Sequence, residues 1–105
     1  MYWERIKEIE EEYERIQRRI KEIEEELRGM PQGHIEPKKI GNNVYYYLRY
    51  WEDGRLKSKY LGKNPGEIQE ALRKAEQLRR ELSYLKSKAM RYSLIMKKIE
   101  KILSP

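Results

Sequence analysis

The chain has 105 residues and a net charge of +6, with 40% of its residues charged and 38% hydrophobic. This length and apolar content predict a single domain, residues 1–105, with a modest core. The absence of cysteine excludes disulfides, thiolate metal sites and a thiol nucleophile. A composition rich in Glu, Lys, Arg and Ile is typical of proteins from hot environments.

The charge is unevenly distributed along the chain. Residues 1–28 hold seven Lys or Arg against ten Glu, residues 29–66 hold seven against three acidic residues, and residues 67–105 hold ten against five. The middle and C-terminal segments are therefore the ones expected to meet a polyanion. The sequence has no apolar run long enough for a signal peptide or a membrane span, so we expect a cytoplasmic protein.

Two long segments carry apolar residues at alternating steps of three and four. The first predicts a helix over residues 2–29. The second follows the breaker Asn64-Pro65-Gly66 and predicts a helix over residues 66–103. We expect the two to form a long antiparallel helical hairpin, a coiled coil, capped by a small β-sheet module over residues 34–62. The predicted fold class is therefore α+β.

Charges beside the two apolar seams favour one register of the helical hairpin. That register places Ile16 opposite Leu82 and Ile9 opposite Ala89, whereas a slide by one heptad brings like charges together. Each exposed ion pair contributes only about 0.2–1 kcal/mol, so the prediction depends on several pairs that favour the same register. The expected cross-helix pairs are Glu26 with Lys74, Arg19 with Glu81, Glu12 with Lys88 and Glu10 with Lys86.

In this register Tyr2 lies near Met96, and the second helix extends beyond the first by roughly two turns. An apolar helix end without a partner predicts a dimer contact. The alternative is a frayed end that packs on Trp3. The residues expected to form the homodimer contact are Leu94, Ile95, Ile99, Ile102 and Leu103.

Residues 35–40 are candidates for a third, outer strand, because Pro37 is tolerated at the edge of a sheet. The sheet is accordingly predicted to be two- or three-stranded and antiparallel. The loop that follows is either Gly41-Asn42-Asn43 or only its last two residues, and this choice decides which face Lys38 and Lys39 join. We expect at least one of these lysines to extend the basic face.

The segment Val44–Leu61 consists of two alternating runs separated by Glu52-Asp53-Gly54, and Asp-Gly in this position predicts a β-hairpin. We expect a three-residue loop that places Trp51 opposite Arg55. A two-residue Asp53-Gly54 loop would slip the pairing by one residue and mix lysines with apolar residues, which burial disfavours.

The three-residue loop assigns the residues of the hairpin to two faces. The face expected to join the core carries Val44, Tyr46, Leu48, Tyr50, Leu56, Ser58 and Tyr60. The other face is aromatic and basic. Since bases stack on aromatic rings and cations contact phosphates, it predicts nucleic-acid binding. The expected contact residues are Tyr45, Tyr47, Arg49, Trp51, Arg55, Lys57, Lys59 and Lys63.

Two other interpretations of this hairpin remain open. Lysines on a solvated sheet edge limit aggregation without binding anything. Alternatively, the coiled coil holds a protein partner, and the chain is an interaction adaptor or a structural protein.

The sequence contains little that catalysis would need. His34 is the only histidine, so neither a His-based triad nor a His-pair metal site can form. The glutamate clusters occupy successive helix positions that point in different directions. The Gly62-Lys63-Asn64-Pro65-Gly66 segment lacks the pattern of a phosphate-binding loop. We expect no enzymatic activity, no cofactor and no bound metal.

The runs Tyr45–Tyr50 and Asp53–Lys63, flanked by charged helices, resemble a group of small uncharacterised archaeal and bacterial proteins. These share a hairpin of the form YYYLxY…GkxkxkYLGK. The hairpin is also, more loosely, similar to the small three-stranded DNA-binding modules at the start of tyrosine recombinases. That similarity implies a sheet that enters a DNA groove, so DNA is slightly favoured over RNA. Only binding carries over, because a recombinase catalytic domain is lacking. The residues it places against DNA are Arg49, Arg55, Lys57 and Lys59.

Overall fold

The computed structural model describes residues 2–104, which form two helices and a three-stranded antiparallel sheet. The predicted α+β class is confirmed, and the segment with Pro37 is a third strand. The helix boundaries differ from the predicted ones by at most one residue. In chain order the elements are α1 (Tyr2–Arg28), β1 (His34–Ile40), β2 (Asn43–Glu52), β3 (Arg55–Gly62) and α2 (Gly66–Leu103).

The chain divides into two compact units, and α2 contributes to both. The first unit consists of α1 and the part of α2 that begins at Leu78. The second unit is Gly29–Gln77, which contains the sheet and the first turns of α2. Neither of the two described helices has a stretch long and apolar enough to cross a membrane.

The first unit is an antiparallel helical hairpin with a narrow apolar seam. Ile16, Ile20 and Ala89 form its buried cluster, and burial of such an isoleucine stabilises the fold by about 1.5–3 kcal/mol. The half-buried residues that pack against this cluster are Tyr13, Leu82, Leu85 and Tyr92. The antiparallel direction follows from two predicted ion pairs that are confirmed, Arg19 with Glu81 at 3.0 Å and Glu12 with Lys88 at 3.8 Å.

The register of this hairpin differs from the predicted one by about one heptad. Ala89 belongs to the cluster of Ile16 and Ile20 instead of lying opposite Ile9. Lys86 pairs with Glu24, with Nζ and Oε2 3.8 Å apart, and not with Glu10. A heptad is about two helical turns, so the shift removes the predicted two-turn overhang of α2.

The charges beside the seam do not select one register of the helical hairpin. Residues beside the seam carry long, flexible side chains that reach either of two turns on the partner helix. The Arg19–Glu81 and Glu12–Lys88 pairs therefore form in the observed register as well as in the predicted one. Exposed pairs of this kind contribute too little free energy to select a register.

In the sheet of the second unit, β2 lies between β1 and β3. Pro37 lies on the edge strand β1, where a missing N–H is tolerated. Ile40 pairs with Asn43, so the β1–β2 turn is Gly41-Asn42. Gly41 has a φ of 63°, a left-handed conformation that glycine adopts at little cost. Neither predicted loop is correct, because both alternatives included Asn43.

The β2–β3 turn is the two-residue Asp53-Gly54 loop, and the predicted three-residue loop is wrong. Glu52 pairs with Arg55 and Trp51 with Leu56. The φ angles of Asp53 and Gly54 are 52° and 74°, and two successive positive values are what a type I′ turn requires. Its backbone twist matches that of the flanking strands, which favours it over longer loops. The expected burial cost does not arise, because the edge residues 55–60 are all exposed.

Candidate nucleic-acid interface

The observed register divides the sheet into two chemically different faces. We call one the tyrosine face, because β2 places Tyr45 and Tyr47 on it together with Arg49 and Trp51, and the other the Leu48 face. Leu48 is buried, which marks the covered side of the sheet. Cross-strand pairing adds residues of the edge strands to the tyrosine face, namely His34, Glu36, Lys38 and Ile40 from β1 and Leu56, Ser58 and Tyr60 from β3.

Three tyrosines form a contiguous patch on the tyrosine face. The ring centroid of Tyr60 lies 5.4 Å from that of Tyr47 and 6.2 Å from that of Tyr45, with the rings tilted by 57° and 42°. These distances fall in the range favoured by aromatic pairs. Ile40 completes a shallow depression with the three rings, and Tyr60 is 57% exposed. Tyr45 and Tyr47 are half-buried, so the patch is a contiguous aromatic surface whose most open ring is that of Tyr60.

Two lysines flank this patch. The Nζ atom of Lys38 lies 6.0 Å from the ring centroid of Tyr47, and that of Lys63 lies 5.6 Å from the centroid of Tyr45. Lys63 also donates a hydrogen bond of 3.3 Å to Oδ1 of Asn43. Exposed cation–π contacts of this kind contribute about 0.5–1 kcal/mol. The expectation that Lys38 or Lys39 extends the face is confirmed for Lys38.

Arg49 is on the tyrosine face but has an acidic neighbour. Its Nε atom lies 3.6 Å from Oε2 of Glu36 on the adjacent strand. Tyr47, Ser58 and Pro37 line a shallow pocket with this pair. The carboxylate partly neutralises the guanidinium, so Lys38 and Lys63 are the main source of positive charge beside the rings.

Trp51 and Leu56 extend the apolar surface of the tyrosine face towards the hairpin turn. They are cross-strand partners, 69% and 46% exposed. Trp51 is therefore exposed, as predicted, whereas Leu56 was expected in the core. Together they add contiguous exposed apolar surface beside the tyrosines, and such contiguous surface is typical of interaction sites.

Arg55, Lys57 and Lys59 are not on the tyrosine face, contrary to the prediction. Lys57 pairs with Tyr50 and Lys59 with Leu48, which places all three cations on the Leu48 face. The predicted three-residue loop shifted the β2–β3 pairing by one residue. Such a shift moves every side chain of a strand to the opposite face of the sheet. Lys57 is additionally 3.6 Å from the carboxylate of Glu52.

Tyr60 was predicted to join the core but lies on the tyrosine face. The signal that could have found it is the Asp53-Gly54 dipeptide, the strongest short-range indication of a two-residue hairpin loop. With that loop Tyr60 lies opposite Tyr47, as the structure has it.

Ion pairs on the two helices shift the pKa values of their members. A hydrogen bond from Arg15 lowers the pKa of Glu12, and one from Arg73 lowers that of Glu70. The hydrogen bond to Glu81 raises the pKa of Arg19. Paired surface charges of this kind stabilise helices and do not by themselves indicate acid–base chemistry. Within residues 2–104 no group of three or more His, Asp or Glu is placed to hold a metal ion.

Two helices and an open three-stranded antiparallel sheet define a small α+β protein, with a solvent-facing aromatic patch on the sheet. Residues 4–70 match the model of a family described as a domain of unknown function, DUF6788, and the chain belongs to this family. The match covers most of α1, the whole sheet and the start of α2. No curated protein and no solved structure matches the chain.

Proposed function

We propose that the protein binds nucleic acid through the tyrosine face, with DNA slightly favoured over RNA. The observation that carries this proposal is the contiguous patch of half-buried Tyr45 and Tyr47 with exposed Tyr60, which has lysine ammonium groups 5.6–6.0 Å from two of its rings. Stacking of one base on such a ring contributes about 1–3 kcal/mol. The lysines supply the phosphate contacts that make binding dependent on salt.

The likeness to archaeal and bacterial hairpin proteins and to recombinase DNA-binding modules supports this proposal in part. In those modules one sheet face meets DNA, and the tyrosine face would be its counterpart. Of the four residues that the likeness places against DNA, only Arg49 is on that face. Lys38 and Lys63 take the place of Arg55, Lys57 and Lys59 in the proposed interface. We place the protein in the cytoplasm, where nucleic acid is accessible to it.

The number of cations on the face sets the expected dependence on salt. Lys38, Lys63 and Arg49 can neutralise two to three phosphates. For B-DNA this gives a log–log slope of affinity against salt of about −2 to −3. The five cations of the predicted face would have given about −4 to −5.

The test is fluorescence anisotropy of a labelled oligonucleotide, titrated with protein across a salt series. Replacement of Lys38 and Lys63 by alanine should weaken binding and flatten the slope by about two. The matched control is the double variant Lys57→Ala, Lys59→Ala, which removes two cations from the Leu48 face and should change the slope little. A reversed pattern would show that the face is misassigned, and no binding at low salt would reject the proposal.

We propose, second, that the end of α2 mediates homodimerisation. Four of the residues expected at this contact are exposed apolar side chains, with Ile102 80% and Leu103 63% exposed, whereas Ile99 is half-buried. Contact with a second copy would remove this apolar surface from water. Sedimentation should show a dimer at tens of micromolar that Ile102→Glu, Leu103→Glu dissociates, and a monomeric wild type would contradict the proposal.

A further inference from the structure

We infer that the tyrosine face binds an extended single strand of nucleic acid, DNA or RNA, through unstacked bases, in preference to a duplex. This inference rests on the proposed function and specifies its substrate. The ligand chemistry in question is an unpaired base next to a phosphodiester, which both kinds of strand present.

The accessible surface of the patch matches base faces better than base edges. Tyr60 is 57% exposed, and Tyr45, Tyr47 and Ile40 form one apolar surface with it. A duplex covers the faces of its bases by stacking them on one another and presents only their edges in the grooves. Unpaired bases, in contrast, can be splayed out and stacked on aromatic side chains. The rings of the patch can therefore stack on base faces only when the bound strand is single.

The spacing of the rings also favours an extended strand. Tyr45 and Tyr47 are alternate residues of β2, so their Cα atoms are about 6.7 Å apart along a strand that rises about 3.3–3.4 Å per residue. Stacked bases in B-DNA follow one another at about 3.4 Å. Two neighbouring bases can occupy successive rings only if they are separated from each other, which a duplex does not allow.

The charge around the patch is modest and lies on both sides of the central strand. Lys38 belongs to β1, and Lys63 directly follows β3. Their ammonium groups lie over the rings of Tyr47 and Tyr45 at 6.0 and 5.6 Å, near the outer limit of a cation–π contact. Stacking of a base on the ring is the stronger interaction. An incoming base can therefore displace each lysine, which is then free to contact a phosphate of the same strand.

The experiment compares three labelled oligonucleotides of equal length by anisotropy at low salt: a single strand, its blunt duplex and an abasic strand. DNA and RNA versions are titrated separately. We expect the single strand to bind at least about 10-fold more tightly than the duplex or the abasic strand. Tyr60→Ala should weaken single-strand binding by roughly 5- to 150-fold, the range that loss of one base-stacking contact implies.

Tyr84 on α2 provides a matched control. It is 58% exposed, and the Nζ atom of Lys88 lies 6.0 Å from its ring centroid, so it has the chemistry of the patch residues at a site outside the sheet. Tyr84→Ala should leave binding unchanged. Tyr60→Leu removes the ring but retains an apolar side chain on the strand, so a loss of affinity in this variant at an unchanged melting temperature excludes misfolding as the cause.

The failures of the inference and of the proposed function can be distinguished. A duplex that binds as tightly as the single strand, with affinity insensitive to Tyr60→Ala and sensitive to Lys38→Ala, Lys63→Ala, overturns the inference and leaves the proposed function intact. An abasic strand that binds as tightly as the normal one also overturns it. If no oligonucleotide binds, both fail. A wild-type preference for unpaired DNA or for unpaired RNA that Tyr60→Ala reduces supports the inference and identifies the kind of strand.

Discussion

The two compact units differ in what an error of register does to them. In the helical hairpin the observed register lies about one heptad from the predicted one, yet the same residues, such as Ile16 and Ile20, form the seam. A heptad repeat superimposes on itself after seven residues. In the sheet, a slip of one residue moves Tyr60 and Lys59 to opposite faces. The seam of the hairpin is therefore insensitive to such an error, whereas the proposed binding face depends on a single turn.

The largest expected effect contrasts the two faces of the sheet. Leu48 is 5% exposed, so Leu48→Ala should lower the free energy of unfolding by about 2–5 kcal/mol. Trp51→Ala, at an exposed site on the tyrosine face, should cost at most about 1 kcal/mol, the value of one cross-strand pair. Urea denaturation of both variants provides the measurement. If Trp51→Ala were the more costly substitution, the tyrosine face would belong to the core.

The second prediction concerns the glycine that allows β1 to approach β2. Gly33 has a φ of 111°, and a Cβ there would overlap the carbonyl oxygen of Arg49. Gly33→Ala should therefore lower the free energy of unfolding by about 2–3 kcal/mol, as expected for a strained backbone position with a clash. Gly41→Ala is the matched control, because its φ is also positive but its surroundings are open, and it should cost only about 1 kcal/mol. Equal losses in urea denaturation would contradict the described pairing of these strands.

A smaller effect tests the register of the helical hairpin. A double-mutant cycle with Glu24→Ala and Lys86→Ala should give a coupling of about 0.2–1 kcal/mol, typical of an exposed ion pair. The same cycle with Glu10 in place of Glu24 should give none, because Lys86 lies beside Glu24. The reverse result would restore the register predicted from the sequence.

The smallest expected effect is a dependence of the stability of the helical hairpin on pH. The hydrogen bond from Arg15, assisted by Lys88, lowers the pKa of Glu12 below 4.5 in the folded state. A carboxylate whose pKa is lowered on folding stabilises the fold above its unfolded-state pKa. That contribution is lost as the pH falls below 4.5 towards the folded-state pKa. The melting temperature should therefore fall less steeply on acidification in Glu12→Gln than in the wild type, and an identical fall would contradict the pairing.

The helices were predictable because their signal extends over many residues. Apolar spacing between Tyr2 and Leu103 and the breaker at Asn64-Pro65-Gly66 fixed both helices to within one residue. Their register was not predictable, since seams and charges that repeat every heptad fit more than one alignment. Contacts between specific layers, such as Ala89 with Ile16 and Ile20, decide it.

The candidate site was predictable where it depended on β2 alone. Alternation along that strand places the predicted Tyr45, Tyr47, Arg49 and Trp51 on one face, and Lys63 lies beside them. The contributions of β3 depended on the length of one loop. Asp-Gly prefers a two-residue turn, and no burial penalty opposes that turn because residues 55–60 of the edge strand are exposed.

The most direct test of the central claim is an NMR titration of the protein with a short single-stranded oligonucleotide, read through the ring signals of its nine tyrosines. Those tyrosines are present on both sheet faces and on both helices. The account predicts that the signals of Tyr45, Tyr47 and Tyr60 shift on binding, while those of Tyr46 and Tyr50 on the Leu48 face and of Tyr84 on α2 stay in place. Shifts confined to the Leu48 face or to the helices, or no shifts at all, would contradict it.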